Sequence, residues 1–196
     1  MARIALYGGS FDPPHFGHVL TSSAVMNSGL VDELWLVPSG LHRDKSTHAS
    51  VEDRKAMMAI MLSTMFGSKV RITICNSQID DSERVSTTIE LLEELNNQYP
   101  RHKFDIVIGA DLVSQISKWH RAQDLKRKTR FLVMPRPGFE LPKRNPPHYR
   151  VLKGETLALT NVSSSAVREM IRANESLEGV VPPAVINHII RNRLYR

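Results

Sequence analysis

Cysteine occurs once in these 196 residues, as Cys75, which excludes an internal disulfide framework and fits a reducing cytoplasm. Its run, Val70-Arg71-Ile72-Thr73-Ile74-Cys75, is apolar, so a buried, inert thiol is expected. No stretch approaches the roughly 20 continuous apolar residues of a membrane span. No secretory signal is expected either, because the short run Ala2 to Leu6 ends in a glycine pair. Aromatic residues make up only 6% of the chain and do not interleave with the basic ones. That argues against a stacking platform for single-stranded nucleic acid. Internal repeats and low-complexity segments are also lacking.

What is present has the balance of an ordinary globular domain, 41% hydrophobic and 23% charged. One domain over residues 1–196 is expected, with a helical part from about 160 to 196. A chain this long buries roughly 70% of its unfolded surface and needs no staple. The net charge of +6 points to anionic partners. The basic residues form one dense cluster, Lys126-Arg127-Lys128 with Arg130, and otherwise scatter. A solvated face accounts for that distribution. Small phosphates are therefore expected as partners, with no nucleic acid and no membrane, and a homo-oligomer stays open.

Short apolar runs alternate with longer amphipathic ones. Strands are expected at Arg3 to Tyr7, Glu33 to Val37, Val70 to Cys75, Phe104 to Gly109 and Thr129 to Met134, with a sixth at Leu157 to Leu159. Helices are expected near Gly17 to Ser28, from Ser50 onward, Thr87 to Tyr99, Ser164 to Ala173 and Pro183 to Arg193. Met57, Met58, Met61, Leu62 and Met65 stripe the second helix as core. Pro137 to Tyr149 reads as a surface loop. This alternation implies right-handed crossovers and an α/β, Rossmann-like, doubly wound parallel sheet with helices at the C-terminal end. Chemistry in such a sheet belongs in the turns that follow strands.

One such turn is Tyr7-Gly8-Gly9-Ser10-Phe11-Asp12-Pro13-Pro14-His15-Phe16-Gly17-His18. Adjacent glycines permit positive φ and close approach to a phosphate, and a helix start behind them offers free amides. His15 and His18 lie one helical turn apart and project to the same side. Two imidazoles beside a phosphate can donate to its oxygens, and become cationic if the anion raises their pKa. A zinc site lacks further ligands at suitable spacing, with only Cys75 and His42 available, and none is expected.

These residues resemble the signature of the nucleotidyltransferase superfamily with a His-x-Gly-His motif. Val162-Ser163-Ser164-Ser165-Ala166-Val167-Arg168 is similar to its second signature, Ile-Ser-Ser-Thr-x-Ile-Arg. Within the superfamily the chain resembles the nicotinate mononucleotide adenylyltransferases nearly end to end. Asp53-Arg54 with Met57, Gly109-Ala110-Asp111 followed by Trp119, Arg136-Pro137-Gly138, and the ending Val181 to Ile186 with Leu194-Tyr195 carry that likeness.

The resemblance implies the nucleotidyltransferase fold and transfer of AMP from ATP to nicotinate mononucleotide, with Mg2+ accompanying ATP. It implies that His15, His18 and Arg168 hold the ATP phosphates as the catalytic set. Gly8, Gly9, Ser10 and Phe11 would add backbone contacts, Ser163 and Ser164 would cap or bind phosphate, and Asp111 would accept from the adenosine ribose. Thr88, Trp119, Arg136 and Lys45 would meet the mononucleotide. Two stretches depart from the family pattern. Ser86-Thr87-Thr88-Ile89-Glu90-Leu91 stands for Ser-Tyr-Thr-x-Asp-Thr, and Leu41-His42-Arg43-Asp44-Lys45 for Pro-Pro-His-Lys. Nicotinamide mononucleotide or another phosphate as acceptor, and a non-catalytic nucleotide- or nucleic-acid-binding protein of the same fold, are the alternatives.

Overall fold

The computed structural model describes residues 1–40, 48–77, 87–141, 146–154 and 157–196. Strand β1 (Arg3–Gly9) leads into helix α1 (Phe16–Asn27), β2 (Glu33–Pro38) into α2 (Val51–Met65), and β3 (Ile72–Ile74) into α3 (Thr88–Gln98). Strand β4 (Lys103–Gly109) precedes a 3₁₀ segment (Ala110–Lys118) and α4 (Ala122–Lys128). Then come β5 (Phe131–Met134), β6 (Tyr149–Val151), α5 (Ser164–Arg172) and α6 (Pro183–Arg191). The strands pair in parallel in the order β3-β2-β1-β4-β5-β6. Connections leave β1 and β4 in opposite directions, which opens a crevice at the carboxyl ends of those strands.

The period of two sorts each strand between two cores. Ala5, Leu34, Leu36, Val107, Leu132 and Met134 face one side, covered by Val25 of α1, the fully buried Met57, Met58 and Met61 of α2, Val167 of α5 and Val185 and Ile189 of α6. Ile4, Leu6, Val37, Ile106, Ile108, Phe131 and Val133 face the other, under Ile89, Leu92 and Leu95 of α3 and Leu125 of α4. Each such methionine contributes roughly 1.5–3 kcal/mol by burial. Ser50 caps α2 by accepting from the Asp53 amide at 3.0 Å. Among the described residues no helix is long and apolar enough to cross a membrane.

Three elements differ from expectation. The sixth strand is Tyr149–Val151, and the segment at Leu157 to Leu159 is irregular. Tyr149 is buried with its ring 5.5 Å from that of Phe131, which pins this stretch to the edge of β5. Leu159 has no such anchor and stays 44% exposed. The expected loop Pro137 to Tyr149 therefore ends one residue early. The third strand is trimmed from Val70 to Cys75 down to three residues, as befits an edge strand with Val70 exposed. The 3₁₀ segment and α4 fill the crossover from β4 to β5, where no helix was foreseen.

Most of the basic cluster is paired. Lys126, Arg127 and Lys128 form the last turn of α4, where cations suit the helix dipole. Lys128 and Arg121 reach Glu93 at 2.8 and 2.9 Å, and Arg127 pairs with Asp124. The buried charge of β4 is also paired. Asp105 is fully buried and accepts from Arg130 Nε at 3.0 Å, Arg130 Nη2 at 2.5 Å and Arg3 Nη1 at 3.1 Å. Asp105→Ala would leave two guanidiniums facing each other and is expected to cost about 3 kcal/mol or more. An unchanged urea midpoint would contradict the bridge.

Candidate active site

Strand β1 runs through both glycines because Gly8 and Gly9 pair in register with Val37 and Pro38 of β2. Neither glycine is left-handed. The turn is delayed to Phe11, whose φ is 48°, so the positive φ expected of the glycine pair falls one position past Ser10. Phe11 is fully buried against Tyr7 at 5.9 Å and His18 at 4.6 Å between ring centroids. A Cβ at Gly9 would come within 3.3 Å of the Phe11 ring, whereas one at Gly8 would meet nothing within 4 Å. Gly9 serves the packing of Phe11, and Gly8 leaves open space.

The two histidines cap their own helix. His15 is the N-cap of α1, and its Nδ1 accepts from the Gly17 amide at 3.1 Å. His18 Nδ1 accepts in return from the His15 amide at 3.1 Å. A neutral ring that accepts at Nδ1 carries its proton at Nε2, so both imidazoles are set as Nε2–H donors. Gly17 permits this, because a Cβ there would lie 2.8 Å from the His15 ring and 3.3 Å from the Val162 carbonyl.

The same capping overturns one expectation. Phe16 donates to Val180 O at 2.9 Å, and His18 and Val19 to His15 O at 2.9 and 3.3 Å, so the first-turn amides of α1 are already used. The donors that remain at this end are the rings.

Both rings are buried, which disfavours charge. Burial first, then the nearby Arg136, pushes His15 down to about 3. Burial, His15 and Arg136 hold His18 well below the ordinary histidine range. Without an anion both are neutral. Their folded pKa values lie below the unfolded value near 6.5, so the unfolded chain binds more protons as pH falls. Stability is fully present above about 6.5 and is lost toward 3. Between pH 7 and 5.5 His15 is expected to withdraw about 1 kcal/mol, with His18 acting in the same direction. Urea unfolding at the two pH values measures this, and His15→Asn should flatten the slope. An unchanged slope would mean that His15 is not held neutral.

Helix α5 brings the second signature onto the first. Arg168 Nη1 donates to the Asp12 carbonyl at 2.7 Å, and Ser164 Oγ to the Pro13 carbonyl at 2.9 Å. Arg168 Nη2 reaches Ser165 Oγ at 3.2 Å, while its Nε is buried with no partner among the described residues. Ser163 caps α5, accepting from the Ala166 amide at 3.2 Å, and keeps its own proton to donate. The Ser164 hydroxyl has given its proton to Pro13, so the expected phosphate contact from that hydroxyl is replaced by an anchoring role.

Strand β4 ends at Gly109, where a Cβ would lie 2.2 Å from Asp111 Oδ1. Asp111 thereby folds back and pairs with Arg136 at 3.1 Å through Oδ2, leaving Oδ1 buried without a partner among the described residues. Arg136, just past β5, also acts electrostatically on His15 and His18. The chain thus gathers His15, His18, Ser163, Ser164, Arg168, Asp111 and Arg136 around the crevice. Among the described residues no hydrogen bond or ion pair joins Trp119 or Thr88 to them. Trp119 ends the 3₁₀ segment with its ring edge-on to Phe131 at 6.5 Å, and Thr88 opens α3. Lys45 lies outside the described residues.

Two charged side chains escaped the reading of the sequence as functional. Arg54 is 1% exposed and donates to the Ser10 and Ser39 carbonyls at 3.1 and 2.7 Å, clamping the turns after β1 and β2. Asp12 is equally buried and accepts from the His48 amide at 2.7 Å, the Ala49 amide at 3.1 Å and Tyr195 Oη at 2.8 Å. The available signal was an arginine on the methionine face of α2, since a cation on an apolar stripe needs a buried partner. Among the described residues no three His, Cys, Asp or Glu side chains cluster as metal ligands.

Residues 6–170 match the family model described as cytidylyltransferase-like. A probable nicotinate-nucleotide adenylyltransferase of Geobacillus kaustophilus is 31% identical over 197 residues, covering 100% of this chain and 87% of its own. One of the same name from Halalkalibacterium halodurans is 30% identical over 198 residues, covering 100% and 92%. The solved structure of Plasmodium falciparum nicotinic acid mononucleotide adenylyltransferase complexed with NaAD superposes with a TM-score of 0.87. It covers 100% of this chain and 98% of its own, and at 24% identity the likeness is one of fold.

Proposed function

The chain belongs to the cytidylyltransferase-like family and, within it, to the nicotinate-nucleotide adenylyltransferases, and from that premise we propose how its residues divide the work. The reaction is transfer of AMP from ATP to nicotinate mononucleotide, giving deamido-NAD and pyrophosphate in NAD biosynthesis. One observation carries the assignment of the site. The turn bearing His15 and His18 and the helix bearing Arg168 are joined by the Arg168–Asp12 and Ser164–Pro13 hydrogen bonds, so both signatures face one polyphosphate.

A phosphate oxygen of the mononucleotide attacks the α-phosphorus of ATP in line, and the bond from that phosphorus to the bridging oxygen breaks as pyrophosphate leaves. A phosphate dianion is already a competent nucleophile, so no general base is needed. Catalysis comes from positioning and from donors aimed at growing charge. His15 and His18 donate from Nε2. Arg168 offers its Nε, without a partner among the described residues, Ser163 its hydroxyl, and the start of α5 the amides of Ser164 and Ser165, those of Ala166 and Val167 being held by Ser163. The backbone of Gly8 to Phe11 lines the same side. Asp111 Oδ1, unpaired and buried, accepts from the adenosine ribose.

On the acceptor side, Arg136 meets the mononucleotide phosphate. Its coupling to both histidines supports this, since in-line attack brings that phosphate beside the α-phosphate. Trp119 stacks on the pyridine ring, while Thr88 and Lys45 complete that side. Mg2+ enters with ATP, held by phosphate oxygens and water, and would neutralise the polyphosphate and its leaving group. We also read the whole chain as one catalytic domain acting in the cytoplasm, with small molecules as its partners.

The test is incubation with ATP, magnesium and each pyridine mononucleotide in turn, following pyrophosphate. Release with nicotinate mononucleotide, faster than with the amide, is the expected result. Release with neither would overturn the site, and preference for the amide would overturn the acceptor.

A further inference from the structure

The segment after α6 does more than close the core. Arg193 and Tyr195 both adopt left-handed backbone, with φ of 52° and 67°. A bulky side chain in that region is costly and persists where its surroundings hold it in place. What holds Tyr195 is a buried polar contact. Its ring is 7% exposed, and its hydroxyl donates to Asp12 Oδ1 at 2.8 Å across 183 residues of sequence.

We propose that Tyr195 is a positioning residue for the ATP-phosphate side of the site, acting through Asp12 on the turn that carries Arg168, Ser164 and the two histidines. The inference rests on the adenylyltransferase reading above. Asp12 receives three donors on its carboxylate, from Tyr195 and from the His48 and Ala49 amides, while its carbonyl anchors Arg168 at 2.7 Å. The next residue, Pro13, anchors Ser164. Without the phenol, a buried carboxylate loses one of its donors and the turn loses its tie to α6. Burial and the adjacent carboxylate push the Tyr195 phenol up, so it remains a donor at any working pH. Trp119 and Thr88, assigned to the mononucleotide, sit at the end of the 3₁₀ segment and the start of α3, and among the described residues neither hydrogen-bonds to Tyr195, Asp12, Ser164 or Arg168. The effect should therefore fall on one substrate.

A merely structural anchor makes a different prediction, and a second tether provides the control. His188 of α6 meets Asp53 of α2 at 2.9 Å, and among the described residues its side chain makes no hydrogen bond to the catalytic turn. Tyr195→Phe, assayed well below its melting temperature, is expected to lower kcat/KM for ATP about tenfold while KM for nicotinate mononucleotide stays within twofold. The stabilisation of the fold by a non-hydrolysable ATP analogue should shrink, and that by the mononucleotide should persist. His188→Ala should lower the melting temperature without splitting the substrates. If Tyr195→Phe does not accumulate folded, Asp12→Asn, which weakens the phenol bond and keeps an oxygen acceptor, carries the same split.

A kcat/KM for ATP within twofold of wild type in Tyr195→Phe, equal losses on both substrates, or the same profile in His188→Ala would each overturn the proposal. Wild-type protein that releases no pyrophosphate sinks the reaction itself. Wild type that turns over beside an unaffected Tyr195→Phe sinks only the role of the phenol.

Discussion

His18→Ala is expected to lower kcat by at least tenfold, and by as much as 10²–10³ if Nε2 donates to the phosphoryl oxygens in the transition state. The ring has two jobs, and they can be separated. Its Nδ1 caps the His15 amide, and its Nε2 carries the proton that faces the phosphate. Alanine loses both, and the missing cap alone costs about 0.5–2 kcal/mol of stability. Asparagine places an acceptor close to the position of Nδ1 and nothing at Nε2. His18→Asn should therefore regain much of the lost stability while turnover stays low. Glutamine reaches toward the Nε2 position and should recover part of kcat with little of the cap. Near-wild-type turnover in folded His18→Asn would remove the ring from the chemistry.

Arg168→Ala is expected to lower kcat/KM for ATP by about 10²-fold, a loss near 2.7 kcal/mol. The guanidinium is pre-set before any substrate arrives. One arm rests on the Asp12 carbonyl and another on Ser165, and the buried Nε donor is left with no protein partner. An unpaired buried donor of this kind costs stability unless an anion completes it. Binding of the triphosphate removes that cost. Lysine supplies the charge without the fork, so Arg168→Lys should recover only a small part of the loss. Removing the cost in the free enzyme should leave Arg168→Ala as stable as wild type in urea while crippled in turnover. Large destabilisation with unchanged kinetics would make Arg168 a structural tie.

Much of this site was legible along the chain because its parts are local. A glycine pair at the end of a strand with two histidines one turn apart, and a serine run before Arg168, are each confined to about ten residues, and local spacing sets which side they face. The strands of the buried sheet were legible for the same reason, since runs such as Phe104 to Ile108 are apolar apart from Asp105. The sixth strand was not. Leu157-Ala158-Leu159 has the composition of a strand, but pairing at an edge goes to whatever segment is packed there. Tyr149 stacks on Phe131 and takes the place.

The positive φ at Phe11 escaped notice on similar grounds. Glycines permit the turn, yet pairing of Gly8 and Gly9 with β2 keeps them extended and moves it onward. Sequence spacing also could not show that the α1 amides are consumed, because one of their acceptors, Val180 O, lies far along the chain.

Local order along the chain therefore settled the parallel α/β architecture and the family, because periodicity and motif spacing act over one or two turns. The folded arrangement alone decided their protonation, their tautomers and their partners. Burial makes His15 and His18 neutral donors, Gly109 lets Asp111 turn back onto Arg136, and Asp12 collects three donors from two distant stretches. Those properties depend on dielectric and on contacts between residues up to 183 positions apart, which no local pattern encodes.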